Sequence, residues 1–339
     1  MAGEKLMQRS AVNHSISEHQ DSDEASSKAS SSRTVPRKSI SELDDETFLH
    51  TFQRKGYPVV ITEAVTPEPE WNLDFLCEQI GDHPFLIRQF GRERYQQNKR
   101  QWTSIGSGVE STSMSFREYA AAIQSGQAHA EDLYLAKVPV TQTLLAENAQ
   151  LTSLSTQLPL RWPVTDWNLW VGPSGHTTCL HYDPFDGVLA QLCGAKRIVL
   201  FPPSQLYNLY PFPMLNHLRY GAKLRSGYSQ IYPDAIDDEA FPKARMAQAH
   251  CYEVTVNAGE MIFIPAGWWH EISTVGSGMV CSVNRFWHVY PWSRSLSSWS
   301  KWRVHLASVL AAPHVAWSLL KAMGSKDKSL KLGQLIQRI

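Results

Sequence analysis

Residues 177–201 read TTCLHYDPFDGVLAQLCGAKRIVLF. Two short runs rich in Val, Leu and Ile flank Gly194-Ala195, which predicts a β-hairpin rather than a helix. On a strand, residues i and i+2 share a face. His181 and Asp183 therefore project together while Tyr182 faces away. By the same alternation Lys196 shares a face with Ile198 and Leu200. Two readings of the pair stay open here: two metal ligands side by side, or a strand-end histidine bonded to a solvated aspartate. Lys196 is either a buried cation that needs an anion or a strand-end lysine whose head reaches water. Thr178 is placed to offer a hydroxyl to the same anion, although β-propensity alone also accounts for it.

Outward from this hairpin the pattern continues. NLWVGP, CYEVTVN, EMIFIPA, HEISTV and MVCSVNRFW are short β-runs divided by Gly, Pro and Asn turns, which predicts a sandwich, barrel or jelly roll. Residues 203–250 carry many Pro and Tyr and no clear period, so an insertion with short helices is expected. Upstream, SELDDETFLHTFQRKG, WNLDFLCEQIG and SFREYAAAIQSG read as helices and YPVVIT, PFLIRQFG and DLYLAKVPV as strands, with Ser41 and Ser115 as N-caps. Residues 102–113 read as a loop.

The stretch AGEMIFIPAGWWHEI places His270 after a Pro-Ala-Gly turn and two tryptophans. Far from His181 in sequence, it reaches that residue only in a closed β-fold. If the three converge, they form two imidazoles and one carboxylate, the facial set of non-haem Fe(II) oxygenases, with open positions for further ligands. The alternative is a histidine packed under Trp268 and Trp269.

Composition sets bounds. Of 339 residues, 43% are hydrophobic and 19% charged, enough for a sizeable core. Lys+Arg and Asp+Glu are both 32, so the overall balance gives no strong nucleic-acid signal. Five cysteines without a CxxC pair argue against a disulfide framework or a thiolate zinc site. No secretory leader is visible at the N-terminus, so an intracellular place, nucleus or cytoplasm, is expected. Walker A, GxGxxG, HExxH and GxSxG patterns are all absent. Residues 304–320, VHLASVLAAPHVAWSLL, are apolar but contain His305, Pro313 and His314 and are short for a span. A membrane role is not expected; a buried or dimer-forming pair of helices broken near Pro313 is. The tryptophans clustered at 287–302 are read as core and helix packing rather than a binding surface.

Taken together, residues 170–213, AGEMIFIPAGWWHEI and VNRFW resemble the JmjC, or cupin-8, family of Fe(II)- and 2-oxoglutarate-dependent oxygenases. Within it the sequence is most similar to small JmjC hydroxylases of the hypoxia-inducible-factor asparaginyl hydroxylase type. The resemblance is clear over about residues 160–290. It implies a mainly β fold, a double-stranded β-helix (jelly roll) with outer helices and a C-terminal helical segment. It implies His181, Asp183 and His270 as iron ligands and Lys196 as partner of the distal carboxylate of 2-oxoglutarate. Thr178 and Tyr134 match hydroxyls that help hold that carboxylate, Asn284 matches a position close to the co-substrate, and Trp170 is expected to line the same barrel. Where the family often has a polar side chain six residues after the first histidine, this chain has Gly187. A wider pocket or an altered hydrogen bond is expected there, with Asp186 compensating or facing the substrate.

The expected organisation is a disordered tail at 1–38, an α+β part at 39–160 packed on the barrel, the jelly-roll core at 161–291 and C-terminal helices at 292–339. The resemblance implies a dioxygenase using Fe(II), 2-oxoglutarate and O2 to hydroxylate a C–H bond, most naturally on a protein side chain, and a homodimer through the C-terminal helices. Alternatives in view are a histone N-methyl-lysine demethylase, a small-metabolite or tRNA hydroxylase, and a non-catalytic cupin scaffold.

Overall fold

Backbone pairing sorts the β-runs into two sheets. The structure is a computed structural model and describes residues 33–66, 69–325 and 327–338. Its first strands are β1 (Arg33–Thr34), β2 (Arg37–Ser39), β3 (Val59–Thr62), β4 (Pro84–Gln89), β5 (Ser111–Ser115) and β6 (Leu133–Pro139). The central ones are β7 (Asn168–Pro173), β8 (Thr177–Tyr182), β9 (Asp186–Cys193) and β10 (Ala195–Phe201). The last are β11 (Tyr252–Asn257), β12 (Met261–Ile264), β13 (Trp269–Val275) and β14 (Met279–Trp287).

The smaller sheet has the order β1-β11-β10-β13-β8, and the larger β2-β3-β12-β9-β14-β7-β6-β4-β5. This is the jelly roll with helical decorations that the sequence pattern pointed to. The α+β part does not stand apart from it, because β3 pairs with β12 and β6 with β7 inside the larger sheet. Alternation then builds the interior. Ile198 and Leu200 of β10 face Leu189, Ile262 and Trp268 between the sheets. Val199 and Phe201 point the other way and pack under Leu206, Leu209, Ile231 and Phe241 of the 203–250 insertion. The insertion is therefore held on the outer face of the smaller sheet.

Several local expectations change. The hairpin expected around Gly194-Ala195 does not form: β9 pairs with β12 and β14 and β10 with β11 and β13, so the turn carries the chain from the larger sheet to the smaller one. The expected tail at 1–38 lies outside the described residues up to 32, but β1 and β2 already pair with β11 and β3. That pairing uses backbone groups, which composition does not reveal. A 3-10 turn at Ile40–Glu42 is capped by Ser39, and the first α-helical stretch begins at Asp45, capped by Asp44 rather than Ser41. The expected loop at 102–113 ends in β5, an edge strand against β4.

In the C-terminal segment one helix runs unbroken from Trp299 to Met323, with Pro313 inside it, and a second, Lys328–Arg338, follows, so the break lies after Met323 and not near Pro313. A proline removes one N–H from the ladder, and the anchors on either side hold the helix across that gap. Its buried positions are Ser300, Arg303, Ala307, Ala311 and Ala322. The Arg303 guanidinium donates to Ser226 O at 2.5 Å, Phe212 O at 2.5 Å and the Tyr182 hydroxyl at 3.2 Å. The large apolar residues Trp299, Leu306, Val309, Trp317, Leu320 and Met323 face outward. The expectation of a buried helix pair is thus corrected: small and polar residues bind this helix to the body. By length and composition alone it could cross a membrane, the one such helix among the described residues.

Candidate metal and co-substrate site

Two hydrogen bonds tie the turn before β13 to the segment that joins β8 to β9. Gly267 N–H donates to Asp183 O and Ala266 N–H to Asp186 Oδ1, both at 2.9 Å. Gly267 needs its positive φ of 82° here, and a Cβ would lie 2.3 Å from Ser300 Oγ. The turn brings β13 alongside β8 so that His270 stands directly across from His181. Their rings are 4.2 Å apart, and Asp183 Oδ2 lies 4.0 Å from His181 Nε2 and 3.5 Å from His270 Nε2. One donor atom from each of the three falls within 4.8 Å of the others.

The tautomers follow from the neighbours. His181 Nδ1 lies 2.9 Å from Cys179 O and His270 Nδ1 3.0 Å from Trp268 O. A carbonyl only accepts, so each Nδ1 carries the proton and each Nε2 lone pair is left facing Asp183. Burial and the nearby His270 push the His181 imidazole down to about 4, which keeps it neutral at pH 7. Burial pushes the Asp183 carboxyl up, but His270, His181 and Arg225 outweigh it and hold it low. Two neutral imidazoles and one carboxylate on an open cavity fit a divalent transition metal with free positions.

The other expected residues meet on the same cavity, about 510 Å³ in volume. Strict alternation would put Thr178 and His181, three apart, on opposite faces. A β-bulge between the His270 and Ile272 pairings of β13 with β8 resets the phase, so both line the cavity. Lys196 is buried, donates to Ser282 Oγ at 2.5 Å and is pulled down to about 8 by burial. Tyr134 is buried on the same cavity and stacks on His176 at 3.8 Å. Gly172 permits that position, since a Cβ there would lie 2.1 Å from the Tyr134 ring. Trp170 donates through Nε1 to Asn284 Oδ1 at 2.7 Å, which turns the Asn284 amide nitrogen away from the indole.

Two expectations about the Gly187 region are corrected. The space is not wider, because a Cβ on Gly187 would already touch the Phe286 ring at 3.0 Å. Asp186 does not face the substrate: it is fully buried and ion-paired with Arg294.

The sequence reading missed several neighbours. Ser282 sits two residues before Asn284 on β14, so alternation alone would have found it. His176 and Asp132 form a buried pair at 2.9 Å behind Tyr134, and the turn that carries His176 gives no sign of this. Arg88, Lys137 and Arg225 line the cavity from three different elements.

The cupin-like domain family matches residues 45–291 of this chain. The chain belongs to the cupin-like, JmjC-type family. Among its relatives, Lysine-specific demethylase JMJ30 of Arabidopsis thaliana is 27% identical over 252 residues, 73% of this chain and 53% of that protein. Lysine-specific demethylase 8 of Xenopus tropicalis is 32% identical over 120 residues, 35% of this chain and 24% of that protein. tRNA wybutosine-synthesizing protein 5 of Danio rerio is 34% identical over 111 residues, 33% of this chain and 29% of that protein. The chain thus spans about half, or less, of the length of these cupin-like relatives. Their names point to demethylation and tRNA modification rather than to asparaginyl hydroxylation.

Proposed function

We propose that this chain is an Fe(II)- and 2-oxoglutarate-dependent dioxygenase that hydroxylates a C–H bond of a protein side chain. The observation that carries this reading is the convergence of His181, Asp183 and His270 on a cavity that Lys196 also lines. In this reading the three residues hold iron through two Nε2 atoms and a carboxylate oxygen. When bound, iron and 2-oxoglutarate supply the oxidation, in which substrate, 2-oxoglutarate and O2 become hydroxylated substrate, succinate and CO2.

The chain's own residues do the rest. Cys179 O and Trp268 O keep the proton on each Nδ1, so neither ring must change tautomer to bind metal. Lys196, Thr178 and Tyr134 receive the distal carboxylate of 2-oxoglutarate. The Lys196 ammonium, desolvated beside Ser282, gains its missing counter-charge when that dianion arrives. Asn284, with its carbonyl held by Trp170, offers its amide N–H groups to the co-substrate. The apolar walls Leu189, Ile272 and Phe286 restrict water.

An anaerobic titration of the full chain with Fe(II) and 2-oxoglutarate tests this. A visible charge-transfer band is expected, absent in His181→Ala and weakened in Lys196→Ala. A folded wild-type protein without the band would leave the scaffold reading in its place. A second reading, removal of an N-methyl group from lysine by the same chemistry, draws on the demethylase names of two relatives.

A homodimer through the C-terminal helix is part of the proposal, supported by the outward apolar face from Trp299 to Met323. Sedimentation of the full chain tests it: dimers are expected, and a monomer at micromolar concentration overturns it. An intracellular place accords with five free cysteines.

A further inference from the structure

The cavity holds more positive charge than the proposed cofactors need. Lys196 lines it and is bonded to Ser282. Arg88, Lys137 and Arg225 form a second group on the same cavity. Arg88 projects from β4 directly opposite Tyr134 of β6. It is 4% exposed, makes no side-chain hydrogen bond or ion pair among the described residues, and its Nη2 is sealed without a partner. Lys137 also lacks such a partner among the described residues. It sits at the bulge where β6 slips against β7, with a φ of 60°. A lysine in that conformation is strained where glycine would not be. Arg225 comes from the insertion and acts electrostatically on both of the others, on His181 and on Asp183.

The charges of a loaded site identify what is left over. The two positive charges of Fe(II) and the one of Lys196 are matched by Asp183 and the two negative charges of 2-oxoglutarate. Arg88 and Lys137 then face the remaining space with no anion assigned to them, and the positive field of Arg225 acts on both. Burying like charges together is costly unless a ligand compensates. The cost is visible in the free protein. Burial and Arg225 pull Lys137 down to about 8, and burial pulls Arg88 down to about 10.

We propose that the substrate presents an anionic group, a carboxylate or a phosphate, to the wall formed by Arg88, Lys137 and Arg225. The inference rests on the oxygenase reading above and narrows its substrate. A methylated lysine head is a cation and meets like charge at this wall, so demethylation is disfavoured. An acidic residue beside the hydroxylated side chain of a protein, or a small phosphorylated or dicarboxylic molecule, meets the requirement.

The test uses the full chain loaded anaerobically with Fe(II) and 2-oxoglutarate, at 150 mM salt. Calorimetry follows binding of an Asp/Glu-rich decapeptide, inorganic phosphate and a trimethyl-lysine decapeptide. Lys137→Gly is the main variant, because glycine suits the positive φ, and Arg88→Met is the second. Binding of either anionic probe is expected, weakened about tenfold in Lys137→Gly while the charge-transfer band is kept. Binding of the acidic peptide alone assigns a protein segment, and binding of phosphate alone assigns a small molecule; either supports the proposal. Tighter binding of the trimethyl-lysine peptide, or no anionic probe binding to a protein that shows the band, overturns it. Loss of the band in Lys137→Gly also overturns it, since the wall would then belong to 2-oxoglutarate. A folded wild type without the band sinks the oxygenase reading itself, and the proposal with it.

Discussion

The backbone amide of Leu180 donates to Glu271 Oε2 at 3.1 Å. Leu180 and Cys179 of β8 together face the single residue Glu271 of β13, which makes the bulge. The bulge puts Thr178 and His181 on one face, and Glu271 satisfies the amide that loses its ladder partner there. Burial pushes the Glu271 carboxyl up, so this acceptor is bought against desolvation. Glu271→Ala should lower stability by about 1–3 kcal/mol through the unsatisfied amide. It should also weaken 2-oxoglutarate binding about tenfold, with Fe(II) binding retained. Glu271→Gln keeps an acceptor oxygen and should do much less. Urea unfolding and the 2-oxoglutarate titration read the two effects separately; equal behaviour of Ala and Gln would deny the bulge its role.

Lys196 is a buried cation whose only hydrogen bond among the described residues goes to Ser282. Lys196→Met should stabilise the metal-free chain by about 1–2 kcal/mol, because an apolar side chain replaces an unpaired charge. The same variant should lose 2-oxoglutarate affinity by a factor on the order of 100. Thermal unfolding without ligand and the anaerobic titration check this. A variant that is less stable yet binds 2-oxoglutarate normally would show that Lys196 is a packing residue.

Asp186 and Arg294 join β9 to the segment after β14. Asp186 is fully buried and also accepts from Ala266 N–H in the turn before His270. Arg294→Met should cost about 3–5 kcal/mol by leaving that carboxylate alone. The double change Asp186→Asn with Arg294→Met should recover part of the loss. A double-mutant cycle measures the coupling, and additive effects would mean that the pair does not act as a unit.

His217 accepts the Ser226 amide through Nε2 at 3.1 Å, which requires the neutral ring. Burial, with Arg225 and Arg303 nearby, pulls it down to about 4. Between the unfolded value near 6.5 and about 4, the unfolded chain binds the proton and the folded chain does not. Acidification through that window therefore favours unfolding, by up to about 1.4 kcal/mol per pH unit for this group. His217→Gln keeps an acceptor without the titration, so its loss of stability from pH 7 to pH 5 should be smaller than that of the wild type. Parallel pH curves would sink the assignment.

How much of this was legible depended on how each position is encoded. His181, Asp183 and the inward face of Lys196 follow from period-two alternation, which a sequence displays directly, whereas the turn before Lys196 crosses between sheets instead of closing a hairpin. Thr178 needed a bulge, and an inserted residue looks the same in sequence as any other. Arg88, Lys137 and Arg225 come from β4, β6 and the insertion, so only the closed sheets bring them together. Pro313 misled because a proline signals a break only when tertiary contacts on either side are weak. Here Arg303, Ala307 and Ala322 hold the helix on both sides of it.

The three bonds of Arg303 also make the long C-terminal helix a mechanical neighbour of the proposed metal site. Tyr182, whose hydroxyl Arg303 grips, stands between His181 and Asp183, and Ser226, whose carbonyl it also grips, adjoins Arg225. Traction or pressure on the outward face of that helix is one side chain away from both the strand that carries His181 and the residue next to Arg225. Tags, fusions and truncations at this terminus should therefore be chosen as interventions on activity, and a library of helix-surface variants is a direct way to tune turnover without touching the cavity.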